Sequence, residues 1–107
     1  MQVDRVWNKD QESTRICERI KRNFTNRRRT RYWVSVVYYE PEQGYNIFFN
    51  MQPQNTYSRS IPISRLANCA YSELLDIITE VRQTYHFTLN YLNFNEEQVR
   101  EMRRMFR

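Results

Sequence analysis

Arginines are the residues of this sequence with the clearest capacity for chemistry, and most of their excess lies in the first third of the chain. Residues 1–31 contain ten Lys and Arg against four Asp and Glu, whereas residues 32–107 contain seven against eight. Guanidinium groups bind phosphate or carboxylate oxygens through paired hydrogen bonds and stack on planar rings. By neutralising phosphates they give affinity for nucleic acid of any sequence. The candidate phosphate-binding residues are Arg15, Arg19, Arg22, Arg27, Arg28, Arg29 and Arg31.

Large rings follow this arginine-rich segment within the next eight residues. In an extended strand Trp33 and Tyr39 fall on the same face, because side chains alternate between the two faces. Exposed rings on a sheet can stack unpaired bases at about 1–3 kcal/mol each. We therefore add Trp33 and Tyr39 to the candidate nucleic-acid site, with Asn46, Asn50 and Gln52 as side chains that can read base edges.

The alternative for this aromatic face is a second core layer beneath a helix. Because the chain predicts three helices but only one small sheet, we expect a helix to cover at least part of the face. The arginines are therefore stronger candidates for ligand contact than the rings.

Catalytic and metal-binding patterns are weak. His86 is the only histidine and has no close-spaced partner among Cys17 and Cys69, whereas zinc sites use closely spaced ligand pairs. A Ser or Cys nucleophile would also have to use His86 as its base. Glu40 and Glu42 flank a turn proline and are more simply explained as exposed carboxylates. We expect no enzyme, no cofactor and no metal.

Length and composition indicate one intracellular domain. A chain of 107 residues builds one modest core. No apolar run approaches the roughly 18 residues of a membrane span, and the N-terminus does not resemble a secretory signal. Two cysteines far apart in sequence are expected to be reduced and partly buried, as in a cytoplasmic protein.

The predicted elements form an α+β domain over residues 1–107. A basic helix and the arginine cluster, here Arg27, Arg28, Arg29 and Arg31, occupy residues 10–31, with Asp10 or Ser13 as the helix N-cap. A β-hairpin follows at 32–52 and turns at Pro41–Gly44. If Glu40 faces Tyr45, one hairpin face is apolar and forms the core.

The second half of the chain predicts two more helices. Residues 57–61 can add a third strand that Pro62 limits in length. Ser64 is the expected N-cap of a long central helix at about 65–85, which has an apolar stripe over five turns. The segment after His86 reads as a strand or an extended packing segment. The last helix, about 96–107, begins with an Asn95–Gln98 capping box.

Two functions fit this sequence. The first is a non-enzymatic protein that binds RNA or DNA through its arginine-rich surface. The second is a protein-interaction module, such as an inhibitor or adaptor encoded by a virus or mobile element, that docks on an acidic protein surface. Such a module can instead fill a nucleic-acid groove with Glu73, Asp76 and Glu80. The hairpin edge and the last helix are candidate surfaces for a homodimer.

Overall fold

A computed structural model describes residues 5–107 of the chain. Its fold is α+β, with three helices and one four-stranded mixed sheet. The predicted class is confirmed, but the sheet has one strand more than the largest sheet expected. The elements in chain order are α1 (Lys9–Asn23), β1 (Thr30–Tyr39), a 3-10 turn (Glu40–Glu42), β2 (Gly44–Pro53), β3 (Arg59–Leu66), α2 (Tyr71–Thr84), β4 (Thr88–Leu92) and α3 (Glu96–Met105).

The hairpin of β1 and β2 pairs two residues away from the predicted register. Val34 lies opposite Phe49, where the sequence predicted Met51. A shift of two residues leaves every side chain on the same face, so the predicted core face is correct. Gln43, in the left-handed conformation with φ of 46°, makes the turn in place of Gly44.

Gly44 is instead needed where β2 approaches the end of β3. A Cβ atom added at this position would lie 1.9 Å from the Leu66 carbonyl oxygen. Real Cβ atoms do not approach backbone atoms so closely, so the contact requires glycine.

The sheet order is β3-β2-β1-β4, and β4 runs parallel to β1. The segment after His86 is therefore a strand, which the sequence left open. Since β3 and β4 run in the same direction, α2 is a crossover that carries the chain from one edge of the sheet to the other.

All three helices cover one face of the sheet. Ile16 and Ile20 of α1 and Ile77 of α2 are buried there against Val34 and Val36 of β1. The helix α3 joins the same layer, because Tyr71 of α2 bonds Glu101 and Phe94 stacks on Tyr45. The opposite face of β1 and β2 has no described helix over it, so the expectation that a helix covers the rings is wrong. The apolar helix stripes all pack on the apolar side of the sheet, and none remains for the mixed side.

The region from Pro62 to Ala70 differs most from the sequence prediction. Pro62 does not end β3, because β3 is an edge strand and a register irregularity lies opposite this position. Ser64 is a buried strand residue whose hydroxyl donates to the Glu12 carboxylate over 2.9 Å. As a result α2 begins at Tyr71, six residues after the predicted start.

The helix termini explain the remaining boundaries. Asn8 caps α1 and accepts a hydrogen bond from the Asp10 backbone, so the predicted caps Asp10 and Ser13 are wrong. The Asn95–Gln98 capping box of α3 is confirmed, with Asn95 Oδ1 2.8 Å from the Gln98 nitrogen.

The helices run parallel to one another. Lys9 of α1 pairs with Asp76 of α2, and one turn later Ser13 bonds Glu80, so both contacts join residues 67 apart in sequence. At the C-terminal end of α2, Arg82 donates to the Arg107 carbonyl just beyond α3. The three C-termini therefore lie at the end of the sheet where β1 begins.

Candidate nucleic-acid interface

Aromatic packing fixes the segment that carries Arg27, Arg28 and Arg29. The Phe24 ring packs edge-on against Tyr32, with 4.8 Å between centroids. The Tyr32 hydroxyl accepts a hydrogen bond from the Arg27 N–H over 3.1 Å and donates to the Thr25 carbonyl. The backbone between α1 and β1 is thus bound to the core while its side chains extend outward.

The arginine cluster is exposed and unpaired within the described chain. Its four members are all solvent-exposed. Among residues 5–107 no carboxylate lies within 4.0 Å of any of these guanidinium groups. The positive charge that the sequence places here is therefore available to an external anion.

The cluster borders an open concave surface next to the turn between β2 and β3. Arg29 adopts a left-handed backbone with φ of 56°, and its carbonyl accepts a hydrogen bond from the Gln54 nitrogen over 2.8 Å. This bond joins the two loops. The surface is lined by Arg29, Thr30, Arg31, Gln52, Pro53, Gln54 and Asn55.

The three arginines of α1 have different environments. Arg22 is exposed and has no carboxylate within 4.0 Å in the described part of the chain. Arg15 lies 3.8 Å from the buried Glu12 carboxylate. Arg19, a predicted phosphate-binding residue, is instead engaged by the chain itself, because its guanidinium donates to the Ile63 carbonyl over 2.5 Å. Arg22 is therefore the α1 arginine most available to a phosphate.

Charge is segregated along the molecule, an arrangement that the order of residues alone does not reveal. The half in which β1 begins and the helices end comprises residues 14–34, 48–62, 81–90 and 102–107. It holds thirteen Lys and Arg and one acid, Glu18. The rest of residues 5–107 holds four Lys and Arg and ten acids. We call the first half the basic pole and the second the acidic pole.

Parallel helices produce this segregation. Each helix has acids in its first turn and bases in its last, which complements the helix dipole. Because all three point the same way, their basic ends add to the arginine cluster. Sequence reasoning missed Arg59 of β3 and the α3 residues Arg103 and Arg104 as members of the basic pole, because only topology reveals helix direction.

The helix-free face adjoins the basic pole and carries Trp33 and Tyr39. Trp33 is half-buried and Tyr39 is 42% exposed. The Arg31 guanidinium lies over the Trp33 ring, 5.4 Å from its centroid, which is a cation–π distance. By strand alternation the face comprises Arg31, Trp33, Ser35, Val37, Tyr39, Asn46, Phe48, Asn50, Gln52, Ser60, Pro62, Arg65, Thr88, Asn90 and Leu92. None of these is a carboxylate.

Asn50 belongs to this face but is buried and hydrogen-bonded, so it is not free to contact a ligand. It is 2% exposed, and its amide nitrogen donates to the Ser35 hydroxyl over 2.9 Å. Its carbonyl oxygen accepts from the Ser60 hydroxyl over 2.5 Å. The proposed base-reading role therefore passes to Asn46 and Gln52, which are less buried.

The acidic row of α2 is engaged by the chain's own side chains. Glu73 receives two hydrogen bonds from Arg5, at 3.2 and 2.7 Å, which lower the pKa of its carboxyl group. Asp76 pairs with Lys9 at 2.7 Å, and Glu80 accepts from Ser13. A partner using this row would have to compete with these contacts.

By the residue ranges of the two poles, Cys17 and His86 belong to the basic pole and Cys69 to the acidic pole. Cys17 and Cys69 are free, half-buried and buried respectively, as predicted. Burial raises the pKa of both thiols, that of Cys69 to about 12. Within residues 5–107 no three His, Cys, Asp or Glu side chains are grouped as metal ligands. Over the same range no helix has the length and apolar character needed to cross a bilayer.

No protein-family model, curated protein or solved structure significantly matches this chain. Fold and charge together define a small α+β protein with one basic pole and one helix-free sheet face.

Proposed function

We propose that this chain is a non-enzymatic nucleic-acid-binding protein that grips phosphates through its basic pole. The observation that carries the proposal is that thirteen Lys and Arg share this half of the molecule with only one of the eleven described acids. Dipole complementation accounts for the bases at the helix ends. It does not account for the arginine cluster, which lies on a loop and a strand outside the helices.

A polyanion suits this surface better than a single carboxylate would. The cluster, Arg22 and Arg59 present charge over a loop, a helix end and a strand, so that several phosphates can be neutralised at once. Each neutralised phosphate releases counterions and strengthens binding at low salt. The adjoining sheet face has no carboxylate that would repel a phosphate backbone.

The alternative, a protein-interaction module that uses Glu73, Asp76 and Glu80, receives less support. These three acids already contact Arg5, Lys9 and Ser13. An acidic protein surface as partner of the basic pole remains the competing proposal, and the following experiment separates it from nucleic acid.

The test measures fluorescence anisotropy of labelled RNA and DNA oligonucleotides at several salt concentrations. The test variant Arg27→Gln/Arg28→Gln removes two charges from the basic pole. The matched control Lys9→Gln/Arg100→Gln removes two charges from the acidic pole and lowers the net charge equally. We expect the logarithmic salt slope to fall by about two for the test variant and to stay unchanged for the control.

Absence of binding to both RNA and DNA at low salt would contradict the proposal. Equal weakening by both double variants would also contradict it, because net charge rather than the basic pole would then decide affinity. The competing proposal would be favoured if the wild type bound no nucleic acid but bound purified acidic proteins, and if Arg27→Gln/Arg28→Gln weakened that protein binding.

A further inference from the structure

The helix-free face has the composition of a surface for flat, uncharged groups. Two of its three rings, Trp33 and Phe48, lie on the neighbouring central strands β1 and β2. Phe48 is opposite Ser35, two residues along from Trp33, so the two rings are diagonal neighbours on one surface. Both are partly exposed, although large rings near the centre of a sheet are usually covered.

The floor between these rings is rigid. Ser35 and Asn50 are 8% and 2% exposed, and the Asn50 amide donates to both the Ser35 hydroxyl and the Trp33 carbonyl. A buried, satisfied polar network of this kind fixes neighbouring side chains in place. The surface between the two rings is thus buried and hydrogen-bonded, and it ties the Trp33 backbone to β2.

Charge connects this face to the basic pole. Arg31 belongs to both surfaces, because it is a member of the arginine cluster and its guanidinium lies over the Trp33 ring. Arg65, the other charged side chain of the face, is paired with Glu42 at 2.6 Å. A ligand that leaves the arginine cluster along β1 therefore meets a ring first and then an uncharged sheet surface.

We infer that the ligand is single-stranded, with unpaired bases stacked on Trp33 and Phe48 while the basic pole holds the adjacent phosphates. This inference rests on the proposed function and narrows its substrate class. A duplex keeps its bases stacked within the helix and so cannot offer them to a flat face. The position of Arg31 between phosphate-binding and ring-bearing residues favours a nucleotide chain over an apolar protein surface.

The experiment compares three ligands of equal length: a single strand, the same strand in a duplex, and an abasic strand with all its phosphates. RNA and DNA versions of the single strand report on the 2′-hydroxyl. Test variants are Trp33→Ala and Phe48→Ala, and Trp33→Phe retains a ring if the alanine variant folds poorly. The control Leu92→Ala shortens a 44% exposed apolar side chain of the same face that has no ring.

We expect the single strand to bind more tightly than the abasic strand and the duplex. Trp33→Ala and Phe48→Ala should each weaken single-strand binding by roughly fivefold to hundredfold. Their salt slopes should remain unchanged, since no phosphate contact is lost. Trp33→Phe should recover most of the affinity, and Leu92→Ala should have no effect.

Unchanged binding by Trp33→Ala and Phe48→Ala would overturn this inference, as would equal affinity for intact and abasic strands. The proposed function would survive either result if Arg27→Gln/Arg28→Gln still weakened binding. If ring and Leu92 variants instead altered self-association by sedimentation and left nucleic-acid affinity intact, the face would be a contact between copies of the chain, and the inference would be wrong.

Discussion

The Tyr32 hydroxyl oxygen lies 3.1 Å from the Arg27 backbone nitrogen and also donates to the Thr25 carbonyl, so one side chain of β1 fixes the loop that carries the arginine cluster. Tyr32→Phe removes both hydrogen bonds and keeps the ring. We expect a loss of about 1–2 kcal/mol in the free energy of unfolding. Nucleic-acid affinity should fall severalfold, because a looser loop must be ordered on binding. Urea unfolding and anisotropy titration measure the two effects. Unchanged affinity would show that loop order does not contribute.

Arg29 has a left-handed backbone conformation, which is strained for a residue with a Cβ atom. Arg29→Gly should relieve this strain and raise the free energy of unfolding by up to about 1 kcal/mol, while weakening nucleic-acid binding. Arg28→Gly removes the same charge where φ is not positive, so it should weaken binding without stabilising the fold. Thermal unfolding of both variants checks this difference. Equal melting temperatures would argue against strain at Arg29.

Gly44 lies against the end of β3, where an added Cβ atom would overlap the Leu66 carbonyl oxygen. We expect Gly44→Ala to destabilise the fold by at least about 3 kcal/mol, since backbone must move on both sides. The neighbouring Gln43→Gly, at a left-handed position, should be neutral or stabilising. Chemical unfolding measures both. A Gly44→Ala protein of normal stability would show that β2 and β3 can separate at low cost.

Glu73 of α2 accepts hydrogen bonds from Arg5, in the segment before α1. These bonds lower the pKa of the Glu73 carboxyl group. Because the folded pKa lies below the unfolded value, this contact stabilises the fold above about pH 4.3 and is lost as the pH falls through the folded pKa. Glu73→Gln should therefore reduce stability at pH 7, by no more than about 1 kcal/mol, and little at pH 2.

Urea unfolding of wild type and Glu73→Gln at both pH values makes this comparison. Glu96→Gln, on an exposed carboxylate of α3, serves as the control with a small effect at either pH. A deficit of Glu73→Gln that persists unchanged at pH 2 would show that the ion pair is not its source.

Cys69 is buried, and its thiol pKa is raised to about 12 by that burial. Both thiols should therefore react slowly with iodoacetamide at pH 7.5 in the folded protein, because the thiolate is the reactive form. Labelling should become rapid in urea concentrations that unfold the chain. Mass spectrometry counts the modified cysteines. Fast labelling of Cys69 under native conditions would indicate local opening around the start of α2.

Local signals in the sequence predicted the fold class, the hairpin faces and the α3 cap. The Asn95–Gln98 pair and the alternation in β1 involve neighbours in sequence or in a single hairpin, so the pattern is sufficient. The start of α2 was missed because Leu66 and Ala70 fit the helical stripe. Leu66 is instead the last residue of β3, a strand that an edge proline does not end, and Ala70 is the N-cap of α2.

The candidate site was predictable only in part. The exposure of Arg27 follows from local composition. The Arg19 guanidinium, in contrast, donates a hydrogen bond to the Ile63 carbonyl of β3, 44 residues away in sequence. The exposure of the face around Trp33 could not be predicted, because it depends on all three helices packing on the same side of the sheet. Arg103 and Arg104 belong to the basic pole only because of the direction of α3. That direction follows from the α2 crossover, which makes β4, the strand before α3, parallel to β1.

Because the two poles carry opposite charge, the molecule is an electric dipole as well as a cation of net charge +5. Near a polyanion the basic pole is attracted and the acidic pole is repelled, so the molecule rotates before any contact forms. Collisions are thereby pre-oriented, and the association rate should drop more steeply with ionic strength than that of an evenly charged protein of equal size.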